Sequence, residues 1–211
     1  MKPNENKLPA LIFVIGLPAS GKTTLAKRLK EDFGIPVLEK DEYKETLFDT
    51  VGFQDYPEKR RLDEAANAVL LKSAGAMLDS GVDLIVVNNF RKEMEGMVRD
   101  FLKRHPCRPA TLFLEGDADE FYRRYARRDK LKERHLAHAL QDHYPLKEGE
   151  NAEIPVPTRE DYRRMFESLG MQNVDLGCPC LHVKAGENDP FDLPAIEKWV
   201  QNETGFAPKK G

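Results

Sequence analysis

Leu11-Ile12-Phe13-Val14-Ile15-Gly16-Leu17-Pro18-Ala19-Ser20-Gly21-Lys22-Thr23-Thr24-Leu25 reads as a buried strand, a glycine-bounded loop and the first turn of a helix. Gly16 to Thr23 fits G-x-x-x-x-G-K-[ST], the phosphate-binding pattern of nucleoside triphosphate enzymes. The spacing has a physical cause. Gly16 and Gly21 let the backbone curl so that successive N–H groups point inward, and a helix N-terminus adds partial positive charge. Lys22 supplies a point charge for β- and γ-phosphates, and the Thr23 hydroxyl is a ligand for Mg²⁺. The context agrees: an apolar run precedes the motif, and Leu25, Leu29 and Phe33 follow at helical spacing.

The remaining bounds are broad. The 211 residues suffice for one well-buried domain, or one domain with a small insertion. Thirty-three basic against 36 acidic residues, net −3, give no global field for nucleic acid or an acidic membrane. No apolar run approaches the roughly 20 residues of a membrane helix, and Met1–Pro9 has no apolar signal core. Three cysteines suit a reduced, cytoplasmic protein.

Outward from the loop, helix one spans about 21–33 with Gly34 as its cap, and Val37–Lys40 forms a short second strand. A helix over 58–80 carries Leu62, Ala65, Val69 and Met77 on its expected apolar face and stops at Gly81. Asp83–Asn89 is an apolar third strand, 92–104 a helix, and Ala110–Leu114 the fourth strand. Asp117 with Glu120 has the look of a capping box. Cys180–Val183 is the fifth strand, and Asp192 caps a last helix. Alternating strands and helices give an α/β fold with a parallel sheet covered on both faces.

One region breaks the rhythm. About 65 residues separate strands four and five, where a simple crossover needs far fewer. They hold a basic helix, a stretch with Pro145, Pro155 and Pro157, and a second helix from Thr158 to Leu169. The insertion, about 118–175, reads as a lid or acceptor-site wall within a single domain over 1–211. Residues 127–157 have little apolar periodicity to hold them, which predicts a segment that orders over phosphates on ligand binding.

Several side chains are candidates for chemistry. Asp41 ends strand two, at the edge where open α/β sheets place their sites. It can take a proton from an attacking hydroxyl, hold water on Mg²⁺, or cap a helix over 42–48. Lys44, one turn on, either reaches an acceptor or is solvated. Arg124, Arg127, Arg128 and Arg134 fit phosphoryl transfer, where guanidinium groups stabilise charge on phosphate oxygens. Arg123, Lys130 and Lys132 read as a solvated face. Strand three ends in Asn88-Asn89-Phe90-Arg91 without a carboxylate; Asn89 and Arg91 either line the acceptor site or merely end the strand. Cys178, Cys180 and His182, with His135, His138 and His143, lack the paired spacing of a zinc site.

Gly16–Thr24, Asp41-Glu42-Tyr43-Lys44, Asn88-Asn89-Phe90-Arg91 and the Arg124…Arg128…Arg134-His135 run together resemble a zeta-toxin-like kinase branch of P-loop proteins. This AAA-type ATP-binding group has polynucleotide 5′-hydroxyl kinases, chloramphenicol phosphotransferase and gluconate-type kinases among its relatives. The resemblance covers about 8–140 and 180–200. It implies a P-loop NTPase fold with a five-stranded parallel sheet in order 2-3-1-4-5, and ATP with Mg²⁺ as cofactors. Gly16, Leu17, Pro18, Ala19, Ser20, Gly21, Lys22, Thr23 and Thr24 would then hold the nucleotide, with Arg124 near the adenine. Thr23 and Asp41 would serve the metal. Lys22, Asp41, Arg128 and Arg134 would carry catalysis, Asp41 as base and the two arginines from the lid. Lys44 departs from relatives that carry Arg there, and 141–170 matches none of them.

The function expected is an ATP-dependent kinase acting on a hydroxyl of a small-molecule acceptor. A nucleic-acid 5′-hydroxyl kinase is the alternative, and it requires a basic groove with stacking aromatics. A non-transferring ATP-binding switch is the third reading; a guanine-reading N-K-x-D motif is absent from the sequence.

Overall fold

The computed structural model describes residues 8–130, 134–151, 156–186 and 191–206, the side chains of 129 and 130 excepted. Strand β1 (Ala10–Gly16) is buried along its whole length and lies at the centre of a five-stranded sheet. β2 (Val37–Glu39), β3 (Leu84–Val87), β4 (Arg108–Glu115) and β5 (Cys180–Lys184) flank it in the order β2-β3-β1-β4-β5, all parallel. This is the expected topology, and it sends every strand's C-terminal end to one edge.

Side chains alternate across a strand, so β1 feeds two cores. Leu11, Phe13 and Ile15 pack with Leu70, Ala74 and Leu78 of α3 (Tyr56–Asp79) and with Val98 and Phe101 of α4 (Glu95–Arg104). Ile12 and Val14 pack with Leu25, Leu29 and Phe33 of α1 (Lys22–Phe33) and with Ile196 and Val200 of α8 (Leu193–Thr204). The expected ends of α1 and α8 are present. Gly34 takes φ 64 and returns its N–H to Lys30, and the Asp192 carboxylate accepts from the Ala195 N–H at 3.1 Å.

Local expectations are corrected in four places. The second strand stops at Glu39, and α2 (Lys40–Val51) begins at once with Glu39 in the N-cap position. Asp41 therefore sits inside the first turn and is not the cap. Helix α3 starts at Tyr56, two residues early, because Asp55 caps it and Pro57 is accommodated where no N–H is needed. Its buried face is Ala66, Leu70, Ala74 and Leu78, one position out of phase with the expected stripe, and Val69 is exposed. At the start of α5 (Ala118–Lys130), Asp117 accepts from the Asp119 N–H, while Glu120 pairs with Arg124 and does not complete a capping box.

The insertion has cores of its own. Helix α6 (Leu136–Ala139) and the chain after it place Ala137, Leu140, Tyr144 and Leu146 against Phe48, Phe53 and Leu62 of the α2–α3 hairpin. Phe53 and Tyr144 exchange both backbone hydrogen bonds at 2.8 Å. Gly52 is obligatory there, since a Cβ would stand 2.5 Å from the Tyr144 carbonyl. The buried Lys59 ammonium donates to the carbonyls of His138, at 2.8 Å, and Leu140. Helix α7 (Arg159–Ser168) sets Tyr162 and Phe166 beside Leu17 and Phe121. The expectation of a coreless stretch is thus corrected for 134–146; residues 131–133 and 152–155 lie outside the described residues. No described helix is long and apolar enough to cross a membrane.

Candidate active site

The loop after β1 has the curl its glycines predict. Gly16 takes φ 144, and a Cβ there would meet the Leu114 carbonyl of β4 at 2.6 Å. Gly21 takes φ 97 in front of α1. The Lys22 ammonium folds back to donate to the Leu17 carbonyl at 2.8 Å. Burial pushes it down to about 7, Arg128 and Lys40 add to the fall, and Asp41 with Glu39 opposes it. The Ser20 hydroxyl, buried in the curl, has no hydrogen-bond partner among the described residues. A desolvated lysine and an orphaned buried hydroxyl beneath a helix N-terminus fit a polyphosphate, which supplies the missing counter-charge and acceptors.

A cavity of about 400 Å³ opens over this loop at the C-terminal edge of the sheet. Its floor is the loop and α1, from Pro18 and Ala19 to Thr23 and Thr24. One wall carries Glu39, Lys40 and Asp41 with Asn88 and Asn89; the other carries Arg124, Tyr125, Arg127, Arg128 and Arg134. The expected site residues therefore come together, except that Gly16, Leu17 and Ser20 shape the loop from behind.

Each wall is fixed by its own contacts. Thr23 donates to the Glu39 carboxylate at 2.8 Å, and burial pushes Glu39 up against that bond. Glu39, Thr23 and Asp41 offer the hard oxygen ligands that Mg²⁺ takes beside phosphates and water. Burial raises Asp41, but Lys40 at 3.5 Å, His138, Lys44 and Arg134 outweigh it and hold the carboxyl well below the usual range. On the arginine wall, Arg124 is pinned by Glu120 and by the Gly186 carbonyl at 2.7 Å. Arg134 donates to the Tyr125 hydroxyl at 3.0 Å and lies over that ring.

Behind Asp41 stands a residue the sequence reading passed over. Asp63 of α3 takes Lys40 at 2.5 Å, Lys44 at 2.6 Å and Arg91 at 3.7 Å. Lys44, only 13% exposed, is not a solvated helix lysine. Arg91 also meets Glu93 at 3.1 Å and does not line the cavity, whereas Asn89 does. Asn67 reaches back to the Asp63 carbonyl and holds Asn88 at 2.7 Å, so the end of β3 is braced by side-chain amides.

Most of the candidate zinc-type residues pair locally among the described residues. His135 pairs with Asp49, His138 with Glu45 and His143 with Glu150. Cys178 meets Thr111 at 3.1 Å, and His182 pairs with Glu115. Arg123 is exposed as expected; Lys132 and the Lys130 side chain lie outside the described residues.

Comparison with known proteins now decides the family. A model described as an AAA domain matches residues 11–146, more than half of the chain. The chain belongs to that family. Its structure is similar to that of a candidate kinase from Chloroflexus aurantiacus, with TM-score 0.76 and 29% identity, over 93% of this chain and 99% of that one. A Sinorhizobium meliloti gluconokinase shares 15% identity over 95% and 94% of the two chains, with TM-score 0.52. The Deinococcus radiodurans tunicamycin resistance protein shares 15% over 96% and 99%, with TM-score 0.54. These last two show the P-loop kinase fold alone. No curated protein matches the chain.

Proposed function

We propose that the chain transfers the γ-phosphoryl group of ATP, held with Mg²⁺, to a hydroxyl of a small-molecule acceptor. One observation carries the reading. A carboxylate outside the phosphate loop, Asp41, lines the same cavity as Lys22 and Thr23, and arginines form the facing wall. The loop N–H groups, Lys22 and the Ser20 hydroxyl would bind the phosphates; Glu39 and Thr23 would hold the metal, and Asp41 would reach it through water. Bound Mg²⁺ supplies neutralisation of charge on the phosphate oxygens.

Asp41 would orient the acceptor hydroxyl and take its proton as the new oxygen–phosphorus bond forms and the bond from the γ-phosphorus to the β,γ-bridging oxygen breaks, with ADP leaving. Its ionised, cation-held carboxylate is a weak base, which suits a transfer in which positioning counts for more than basicity. Arg128 and Arg134 would stabilise charge on the moving phosphoryl group, and Asn89 would border the acceptor. ATP as donor and three free thiols agree with a cytoplasmic setting.

Labelled ATP offered with a panel of sugars, sugar acids, amino alcohols and a 5′-hydroxyl oligonucleotide tests the reading. Label on a small hydroxyl compound is the expected result. Label on the oligonucleotide alone, or only in inorganic phosphate, overturns it.

A further inference from the structure

Leu17 to Ser20 close a four-residue turn, in which the Ser20 N–H donates to the Leu17 carbonyl at 3.2 Å. Pro18 is its first central residue, and Ala19, the second, takes φ 63. Proline followed by positive φ is the type II arrangement, whose central peptide is flipped relative to type I. Glycine adopts it freely, whereas a residue with a Cβ meets steric resistance. Something must hold Ala19 there.

The Pro18 carbonyl accepts from the Tyr162 hydroxyl at 2.9 Å. Tyr162 is 1% exposed and comes from α7, in the insertion, 144 residues along the chain. Its ring is fixed by Phe166, edge-on at 4.7 Å, and by Tyr125 at 5.4 Å. Asp119 of α5 takes Arg159 and Arg163 of α7, which ties the two helices together. The hydroxyl is therefore presented from a rigid base.

A trans peptide is planar, with its C=O and N–H on opposite sides. Fixing the Pro18 carbonyl on Tyr162 turns the Ala19 N–H the other way, and Ala19 lines the cavity. We propose that Tyr162 is a positioning residue of the phosphate-binding loop, locking the Pro18–Ala19 peptide so that the Ala19 N–H faces the nucleotide phosphates. The inference rests on reading this loop as the ATP site. It gives α7 a role as a buttress of the loop, reaching also to Tyr125 and so to Arg134.

Calorimetric titration of the full chain tests it, with ATP–Mg²⁺ and, separately, tripolyphosphate–Mg²⁺. Tyr162→Phe keeps the ring and removes the donor; both probes should bind about three- to tenfold more weakly. Ala19→Gly added to that variant lets the loop take positive φ freely and should restore most of the affinity. Val98→Ala, in the separate core between β1 and α4, destabilises the fold without touching Tyr162; it should lower the melting midpoint and leave affinity near wild type. Wild-type affinity in Tyr162→Phe overturns the proposal. So does a loss that Ala19→Gly fails to restore, or one that Val98→Ala reproduces. A wild-type chain that binds neither probe instead removes the ATP-site reading, and the proposal with it.

Discussion

At the residue scale, Lys22 and Asp41 have separable duties. Lys22→Ala should weaken ATP–Mg²⁺ binding sharply, because the half-buried ammonium proposed to face the phosphates is lost; equal affinity by calorimetry would remove that role. Asp41→Asn keeps the size of the side chain and its place in the first turn of α2, and loses the charge. Phosphoryl transfer should fall by roughly 10²–10⁴-fold with ATP affinity nearly intact. A variant that still transfers at near the wild-type rate would show that the carboxylate only offsets Lys40, Lys44 and Arg134. Asp41 was legible in the sequence as a carboxylate at a strand end. Glu39 was not singled out, though it stands two residues earlier in Glu39-Lys40-Asp41; a three-residue strand passing straight into a helix puts both carboxylates at one edge. Asp63 was hidden for a different reason. Nothing local marks an aspartate on a long helix as the meeting point of cations from α2 and from the segment after β3.

At the element scale, the insertion is held more firmly than its composition suggests. Its apolar residues do not recur with one period; they pair with Phe48 and Phe53 across the chain, which no local window reveals. Hydrogen exchange should therefore slow on adding an ATP analogue mainly around 127–134, where Arg127, Arg128 and Arg134 line the cavity. Amides of 136–146 should be protected beforehand. Slowing across the whole of 127–157 would show that this packing forms only with ligand. Lys59 ties the same segment to α3 and titrates in a useful window. Burial pushes it down from 10.5 to about 7, so between those values the unfolded chain binds the extra proton. Stability should accordingly climb as pH rises through that interval, and the destabilising charge is fully present below it. Lys59→Met should be less stable throughout, since two carbonyls lose their donor. Its denaturation free energy should also rise less steeply from pH 7 to pH 10; an unchanged slope would assign the titration elsewhere.

At the scale of the molecule, the sheet was the most legible part, because β1 and β3 are apolar on both faces and the loop motif fixes where β1 ends. The order β2-β3-β1-β4-β5 came from resemblance; hydrophobic pattern alone orders no strands. That topology sets the loop, the end of β2 and the end of β3 around one cavity, and the Gly186 carbonyl after β5 holds Arg124 in its wall, so a nucleotide bound there would draw on elements from much of the chain. Binding should then stabilise the fold as one unit. At ligand a hundredfold above Kd the gain is about 2.7 kcal/mol, which for a domain of this size is a rise in Tm of about 5–11 °C. Scanning calorimetry with ATP–Mg²⁺ should show a single transition moved up by that amount. Asp41→Asn should move as far, since it keeps the phosphate contacts, while Lys22→Ala should scarcely move. Two transitions, with only one displaced, would mean that the insertion melts apart from the sheet and that α7 does not hold the loop in the intact molecule.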